Sequence, residues 1–342
     1  MIRPLQAPIK ISLDITSRCL LNCRHCRVGK SDPQDTLTFD EILHIVQDLA
    51  RIKVFRIAFS GGEPFLRDDL IEIIRQALAA GSWRVFVSTS GLRLTDHTLA
   101  ALYPLRRRLT LKISLDGPPS VHDAIRGREG AFAAACDAIG ECVRAGFDVQ
   151  VTTTLMRANV EHLEETLEIV HGLRCSRHYL VELIPAGQAT PEMALTRGER
   201  LHVQQAIARA REKFEHAGYH IVARIPFAAG EFRGLTCSAG LSECGILADG
   251  SVVGCRLLPQ WKAGNVRERP LSALWAASEA FSEFRRMTAS DCGAICASCD
   301  VATACRGGCR AYAFGMTGSF YAPDSRCPIA CPESTQDVYG AL

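Results

Sequence analysis

Three cysteines within one short stretch, Cys19, Cys23 and Cys26 in DITSRCLLNCRHCRVGK, have the type and spacing to do chemistry. Three thiolates can hold three irons of a cubane [4Fe–4S] cluster and leave the fourth iron free for an exogenous ligand. A structural zinc site would need a fourth ligand, and His25, inside the same loop, is the residue that makes zinc tenable. The chain has 16 cysteines: these three, three scattered at 136, 142 and 175, and ten between 237 and 331. The chain is neither short nor visibly secreted, so a disulfide framework is not expected. In a reducing cytoplasm, clustered cysteines are metal ligands.

The elements that must position these residues follow from the hydrophobic pattern. Strands are expected at 9–16, 55–60, 84–89, 109–116, 147–154 and 178–185, rich in Val, Ile, Phe and Thr. Helices are expected at 38–51, 68–80, 95–103, 130–145, 160–173 and 196–217; the second puts Leu70, Ile73, Ile74, Ala77 and Leu78 on one face. Six βα units make an α/β fold, either a doubly wound sheet or an incomplete (β/α) barrel, and in both function gathers at the carboxyl ends of the strands. The cysteine loop, SGGEP, STSG and SLDG each follow one of the first four strands, which argues for a single site. Beyond residue 217 the style changes. CGILADGSVVGC reads as a hairpin turning at Asp249-Gly250, and the rest is rich in cysteine and glycine. The expected division is 1–220 for the α/β part, 221–236 for a linker and 237–342 for a small part stabilised by metal sites.

Cys19-x3-Cys23-x2-Cys26, with Gly61-Gly62-Glu63-Pro64 at the next strand end, resembles the signature of radical S-adenosylmethionine (SAM) enzymes. The resemblance implies a partial (β/α)6 barrel in which SAM chelates the open iron and the Gly-Gly-Glu-Pro loop binds its amino group. It also implies that Ser114 and Arg126, in ISLDGPPSVHDAIRGREGAF, contact the SAM ribose or carboxylate. His25 then packs near SAM. Asp116 caps its loop.

The later cysteines resemble the SPASM extension of these enzymes: Cys237-x12-Gly250-x4-Cys255, then Cys296-x2-Cys299-x5-Cys305-x3-Cys309 and Cys327. That likeness implies two auxiliary [4Fe–4S] clusters. Auxiliary I takes Cys237, Cys244, Cys255 and Cys309; auxiliary II takes Cys296, Cys299, Cys305 and Cys327. Cys292 and Cys331 flank these sets as substitutes. Cys136 and Cys142 are read as buried small hydrophobes, and Cys175 as a candidate hydrogen donor.

The chemistry so implied is reductive cleavage of SAM to a 5′-deoxyadenosyl radical, hydrogen abstraction from an unactivated C–H bond, and oxidation of the substrate radical through the auxiliary clusters. A flavodoxin- or ferredoxin-type donor would supply the electron. The first substrate expectation is a peptide or protein matured in natural-product biosynthesis. The alternative is a small natural product such as a carbohydrate or aminocyclitol, dehydrogenated or epimerised; a non-enzymatic iron–sulfur or zinc module is the remote one. With the cluster loop beginning at residue 19, a peptide-recognition domain ahead of it is not expected. In the sulfatase-maturing branch an acidic base follows the cysteine matching Cys255; this chain has Arg256, which argues against that activity. A net charge of +2 argues against a nucleic-acid partner. No window approaches the roughly 18 apolar residues of a membrane span, so a cytoplasmic protein is expected.

Overall fold

The computed structural model describes residues 5–29, 36–214, 218–225 and 237–331 of the chain. Seven parallel strands run in order: β1 (Lys10–Thr16), β2 (Arg56–Gly61), β3 (Arg84–Thr89), β4 (Leu109–Ser114), β5 (Asp148–Leu155), β6 (Arg177–Glu182) and β7 (His220–Arg224). Between them lie α1 (Phe39–Arg51), α2 (Leu70–Ala79), α3 (Asp96–Leu102), α4 (Pro119–Arg126), α5 (Ala131–Arg144), α6 (Leu163–Gly172) and α7 (Arg197–Phe214). The fold is therefore a partial α/β barrel of the TIM type, with β7 as a parallel strand beyond the six expected. The strands alternate: Leu109, Leu111 and Ile113 of β4 pack in the main core, while Lys112 and Ser114 face away from it. Helix α1 begins at a capping box in which Thr38 Oγ1 accepts from Glu41 N and Glu41 Oε2 accepts from Thr38 N.

The sheet does not end with the barrel. Strand β8 (Glu243–Ile246) pairs in parallel with β1, and β9 (Ser251–Val253) and β10 (Lys262–Asn265) follow antiparallel, which gives ten strands in the order β10-β9-β8-β1-β2-β3-β4-β5-β6-β7. The β8–β9 pair is the expected hairpin. After it come α8 (Leu271–Ala277) and α9 (Glu279–Arg286), then α10 (Ala294–Ala297), α11 (Ala302–Cys305) and α12 (Arg310–Thr317). Ile246, Leu274, Trp275 and Phe281 share one core with Ile11, Ile42 and Leu49. The stretch expected as a linker holds the end of β7, and its residues 226–236 lie outside the described part.

Candidate active site

The cysteine loop leaves the carboxyl end of β1 and is held from both sides. Asn22 N donates to Arg126 O at 3.1 Å and Arg24 N to Ile125 O at 2.9 Å, so the last turn of α4 supports the loop. From β2, Gly62 N donates to Thr16 O and Glu63 N to Arg18 O, both at 2.8 Å. A Cβ on Gly61 would lie 2.1 Å from Thr16 O, and one on Gly62 2.1 Å from Arg18 O. These two glycines are thus required by the approach of the cysteine loop's own backbone. Cys23 is buried, Cys26 half-buried and Cys19 exposed.

Glu63 is 1% exposed and its carboxylate is spent inward. Oε1 accepts from Thr89 Oγ1 at 2.7 Å and Phe65 N at 3.3 Å, and Oε2 from Ser90 N at 2.9 Å and Ser90 Oγ at 2.5 Å. The expected acceptor for the SAM amino group therefore ties the β2 loop to the end of β3, and Pro64 beside it is buried. Ser114 is half-buried at the end of β4, in register with Thr152 of β5.

Arg126, expected at the ligand, is buried. Its Nη2 lies 2.7 Å from Asp116 Oδ2 and its Nη1 3.8 Å from Cys23 Sγ. Burial raises the Cys23 thiol, and Arg126 works against that rise. Asp116, wholly buried, also accepts from Thr154 N at 2.9 Å on Oδ1, and its carbonyl accepts from Asn159 Nδ2 at 2.8 Å. Burial alone would raise its pKa; Arg126, then His25 and His122, hold it below the usual carboxylate value. His25 Nε2 lies 3.9 Å from Asp116 Oδ2, and burial lowers its pKa, so the ring is neutral near pH 7.

The later cysteines sort into two groups. Cys237, Cys255 and Cys309 come together; burial and then the neighbouring thiols push Cys237 up to about 11 and Cys255 up to about 12. Cys296, Cys299, Cys305 and Cys327 line one cavity, whose lining residues do not include Cys292 or Cys331. Cys292 Sγ lies 3.4 Å from Arg310 Nη1 and stands beside Cys296, and Cys331 stands beside Cys327.

Two expectations need correcting. Cys244 does not join Cys237, Cys255 and Cys309. It sits in β8 next to Gly245, and a Cβ on Gly245 would fall 2.3 Å from Arg256 Cγ, so the Gly245 face looks toward the Cys255 loop. Strand alternation turns Cys244 the other way, into the main core with Ile246 and Ile11. Cys175 is no hydrogen donor at this site. It is buried in the core just before β6, at the amino end of the strands, with Sγ 3.5 Å from Arg177 O. Cys136 and Cys142 lie half-buried and buried on α5.

Among the described residues, no three His, Cys, Asp or Glu side chains gather around a single-ion site. An open three-thiol loop at the strand ends, with two more cysteine groups, fits iron–sulfur clusters.

Comparison with known proteins gives the same answer. Residues 13–170 match the family model described as radical SAM superfamily, and 237–300 the iron-sulfur cluster-binding domain named SPASM. An AdoMet-dependent heme synthase of Methanosarcina barkeri is 30% identical over 96% of this chain and 98% of its own length. The chain is a SPASM-type radical SAM enzyme. The mycofactocin maturase MftC of Mycolicibacterium smegmatis is 31% identical over 95% of this chain and 84% of its own. In fold it resembles Streptococcus suis SuiB bound to S-adenosylmethionine, with a TM-score of 0.79 at 15% identity over 95% of this chain and 78% of that one. It also resembles anSMEcpe with bound AdoMet and a peptide, with a TM-score of 0.72 at 17% identity over 92% and 93%. As a radical SAM enzyme it uses SAM, a [4Fe–4S] cluster and auxiliary clusters.

Residue spacing did not reveal the roles of Asp14 or Arg27, and STSG put Thr89 and Ser90 near the site without showing that they hold Glu63. The one available signal was a carboxylate at an alternating position between Leu13 and Ile15 of a strand, which must meet a cation or a donor if buried.

Proposed function

We propose that this enzyme matures a peptide or protein substrate by oxidising it at an unactivated C–H bond. The observation that carries the reading is the open set of three thiols, Cys19, Cys23 and Cys26, at the carboxyl ends of the barrel strands. When bound there, the cluster and SAM supply a 5′-deoxyadenosyl radical, the cofactor's own chemistry. The chain's residues position and shield. Arg126 and Asp116 brace the cysteine loop, and Glu63, spent on Thr89 and Ser90, leaves the backbone of the Gly-Gly-Glu-Pro loop to meet the SAM amino group. Ser114 offers a hydroxyl at the end of β4, and His25 would stand beside bound SAM.

The ligand sets we assign are Cys19, Cys23 and Cys26 for the SAM cluster, Cys237, Cys255 and Cys309 for auxiliary I, and Cys296, Cys299, Cys305 and Cys327 for auxiliary II. A flavodoxin- or ferredoxin-type donor in the cytoplasm would reduce the enzyme. The peptide reading is supported by two similar proteins, the mycofactocin maturase MftC and anSMEcpe with a bound peptide. A small-molecule substrate is the second reading, favoured by the heme synthase that matches along 98% of its length. The test is anaerobic reconstitution, iron and sulfide counting, and a dithionite-driven assay for 5′-deoxyadenosine. About twelve irons are expected for three clusters; zinc in their place, or no 5′-deoxyadenosine, would overturn the reading. A precursor-peptide gene beside this one favours the peptide, and small-molecule biosynthetic genes favour the alternative.

A further inference from the structure

The face of β1 turned away from the core carries a contact between the two cysteine-bearing ends of the chain. Asp14 is 3% exposed, and its Oδ1 accepts from Arg27 Nη2 at 2.6 Å and from Arg256 Nη1 at 2.7 Å. Arg27 directly follows Cys26, and Arg256 directly follows Cys255. One carboxylate therefore joins the open-cluster loop to the first auxiliary group.

Two guanidiniums share the one carboxylate, and the other negative groups near them are the Cys26 and Cys255 thiols. Burial would raise the Asp14 pKa, but Arg27 and Arg256 hold it below the usual carboxylate value, so the aspartate is ionised. Each guanidinium has five N–H donors, yet among the described residues Asp14 is the hydrogen-bond partner found for either one. Both side chains keep some exposure, 19% for Arg27 and 25% for Arg256. Gly245 is shaped to admit Arg256, since a Cβ there would strike its Cγ.

We propose that Arg27 and Arg256, set by Asp14, form a receptor for a carboxylate group of the substrate at the mouth of the barrel. A planar fork of donors matches a carboxylate in charge and shape. The inference rests on the reading of the barrel mouth as the substrate site. It names the substrate class by its chemistry: a carboxylate carried by a peptide or by a small molecule.

The experiment uses reconstituted holoenzyme with SAM and titrates acetate against neutral acetamide by saturation-transfer NMR at fixed ionic strength. Acetate is expected to bind saturably and acetamide not. Arg256→Gln and Arg27→Gln each weaken acetate by about tenfold or more, as loss of a charged hydrogen bond does. Asp14→Asn removes the internal competitor and strengthens acetate binding, an effect that a merely structural aspartate would not produce. Iron counts and circular dichroism accompany each variant. No preference for acetate in the wild type is the result expected if the guanidiniums only neutralise thiolate-bound clusters, and it overturns the proposal; so does a preference that survives Arg256→Gln. The wild-type comparison needs no variant to fold. Displacement of acetate by a free-acid peptide but not its amide, or by a porphyrin dicarboxylate but not its dimethyl ester, identifies the carboxylate's source. Formation of 5′-deoxyadenosine, measured in parallel, tests the proposed function separately from carboxylate binding.

Discussion

At the residue scale the informative contrast is between two buried thiols, Cys244 and Cys255. One packs among aliphatic side chains on the core face of β8, and the other stands beside Cys237 and Cys309. Cys244→Ala is expected to retain the full iron and sulfide content and to lower stability by about 1 kcal/mol, the typical cost of a core truncation. Cys255→Ala should lose about four irons. Loss of a cluster from Cys244→Ala would return that residue to the ligand set. Spacing alone could not separate the two thiols, because which face of a strand a cysteine occupies depends on register with a distant β1. His178 gives a second test. It is buried, its Nε2 lies 2.8 Å from Thr153 Oγ1, and burial lowers its pKa to about 3. The unfolded chain takes up the proton that the folded chain refuses, so stability is full above pH 6.5 and falls as pH drops toward 3. Between pH 7.5 and 5.5 this one group should cost about 1.3 kcal/mol. Denaturant unfolding at the two values checks it, and His178→Asn should remove that share of the slope.

At the element scale the cysteine loop depends on α4, the short helix that brings Arg126 under Cys23. Residues 119–126 fall in none of the expected helices, being a short stretch that opens on proline, yet proline is favoured in a first helical turn and Gly127 closes the helix in the left-handed region. Long periodic helices and β-branched strands were legible, since burial on one face leaves a periodic mark. Bonds between loops leave none, which is why Glu63 reads as a ligand acceptor while its carboxylate is committed to Thr89 and Ser90. Asp116→Ala tests the brace. It leaves Arg126 buried without its counter-ion, a loss of about 3–5 kcal/mol, and should loosen the SAM cluster before the auxiliary ones. Iron counting with the electron paramagnetic resonance of each reduced cluster reads that order; retention of the SAM cluster with unchanged stability would rule the brace out.

At the scale of the whole molecule, barrel and cysteine-rich part share one sheet, and Ile246, Trp275 and Phe281 pack in the barrel's core while Leu258, Phe284, Met287 and Phe320 form a smaller core of their own. Strand β8 covers the edge of β1, with Ile9 N donating to Ser242 O at 2.8 Å, and Trp275 Nε1 donates to Leu5 O at 2.9 Å. At the other end, Glu182 of β6 is paired with Arg200 of α7 and with Arg326, while Tyr312 of α12 accepts from Arg200 Nη2 at 2.9 Å. A fragment of residues 1–225 would expose a row of β1 backbone donors and acceptors beside apolar side chains that Trp275 and Phe281 normally cover. It would also leave Glu182 and Arg200 without two of their partners. That fragment is expected to aggregate or to lack a cooperative unfolding transition, even though it contains every barrel strand and the whole SAM-cluster loop. Size-exclusion chromatography and thermal unfolding under anaerobic conditions read the outcome. A monodisperse fragment with a sharp transition would mean that the barrel holds its own edge, and that the shared sheet is a docking of two independent units.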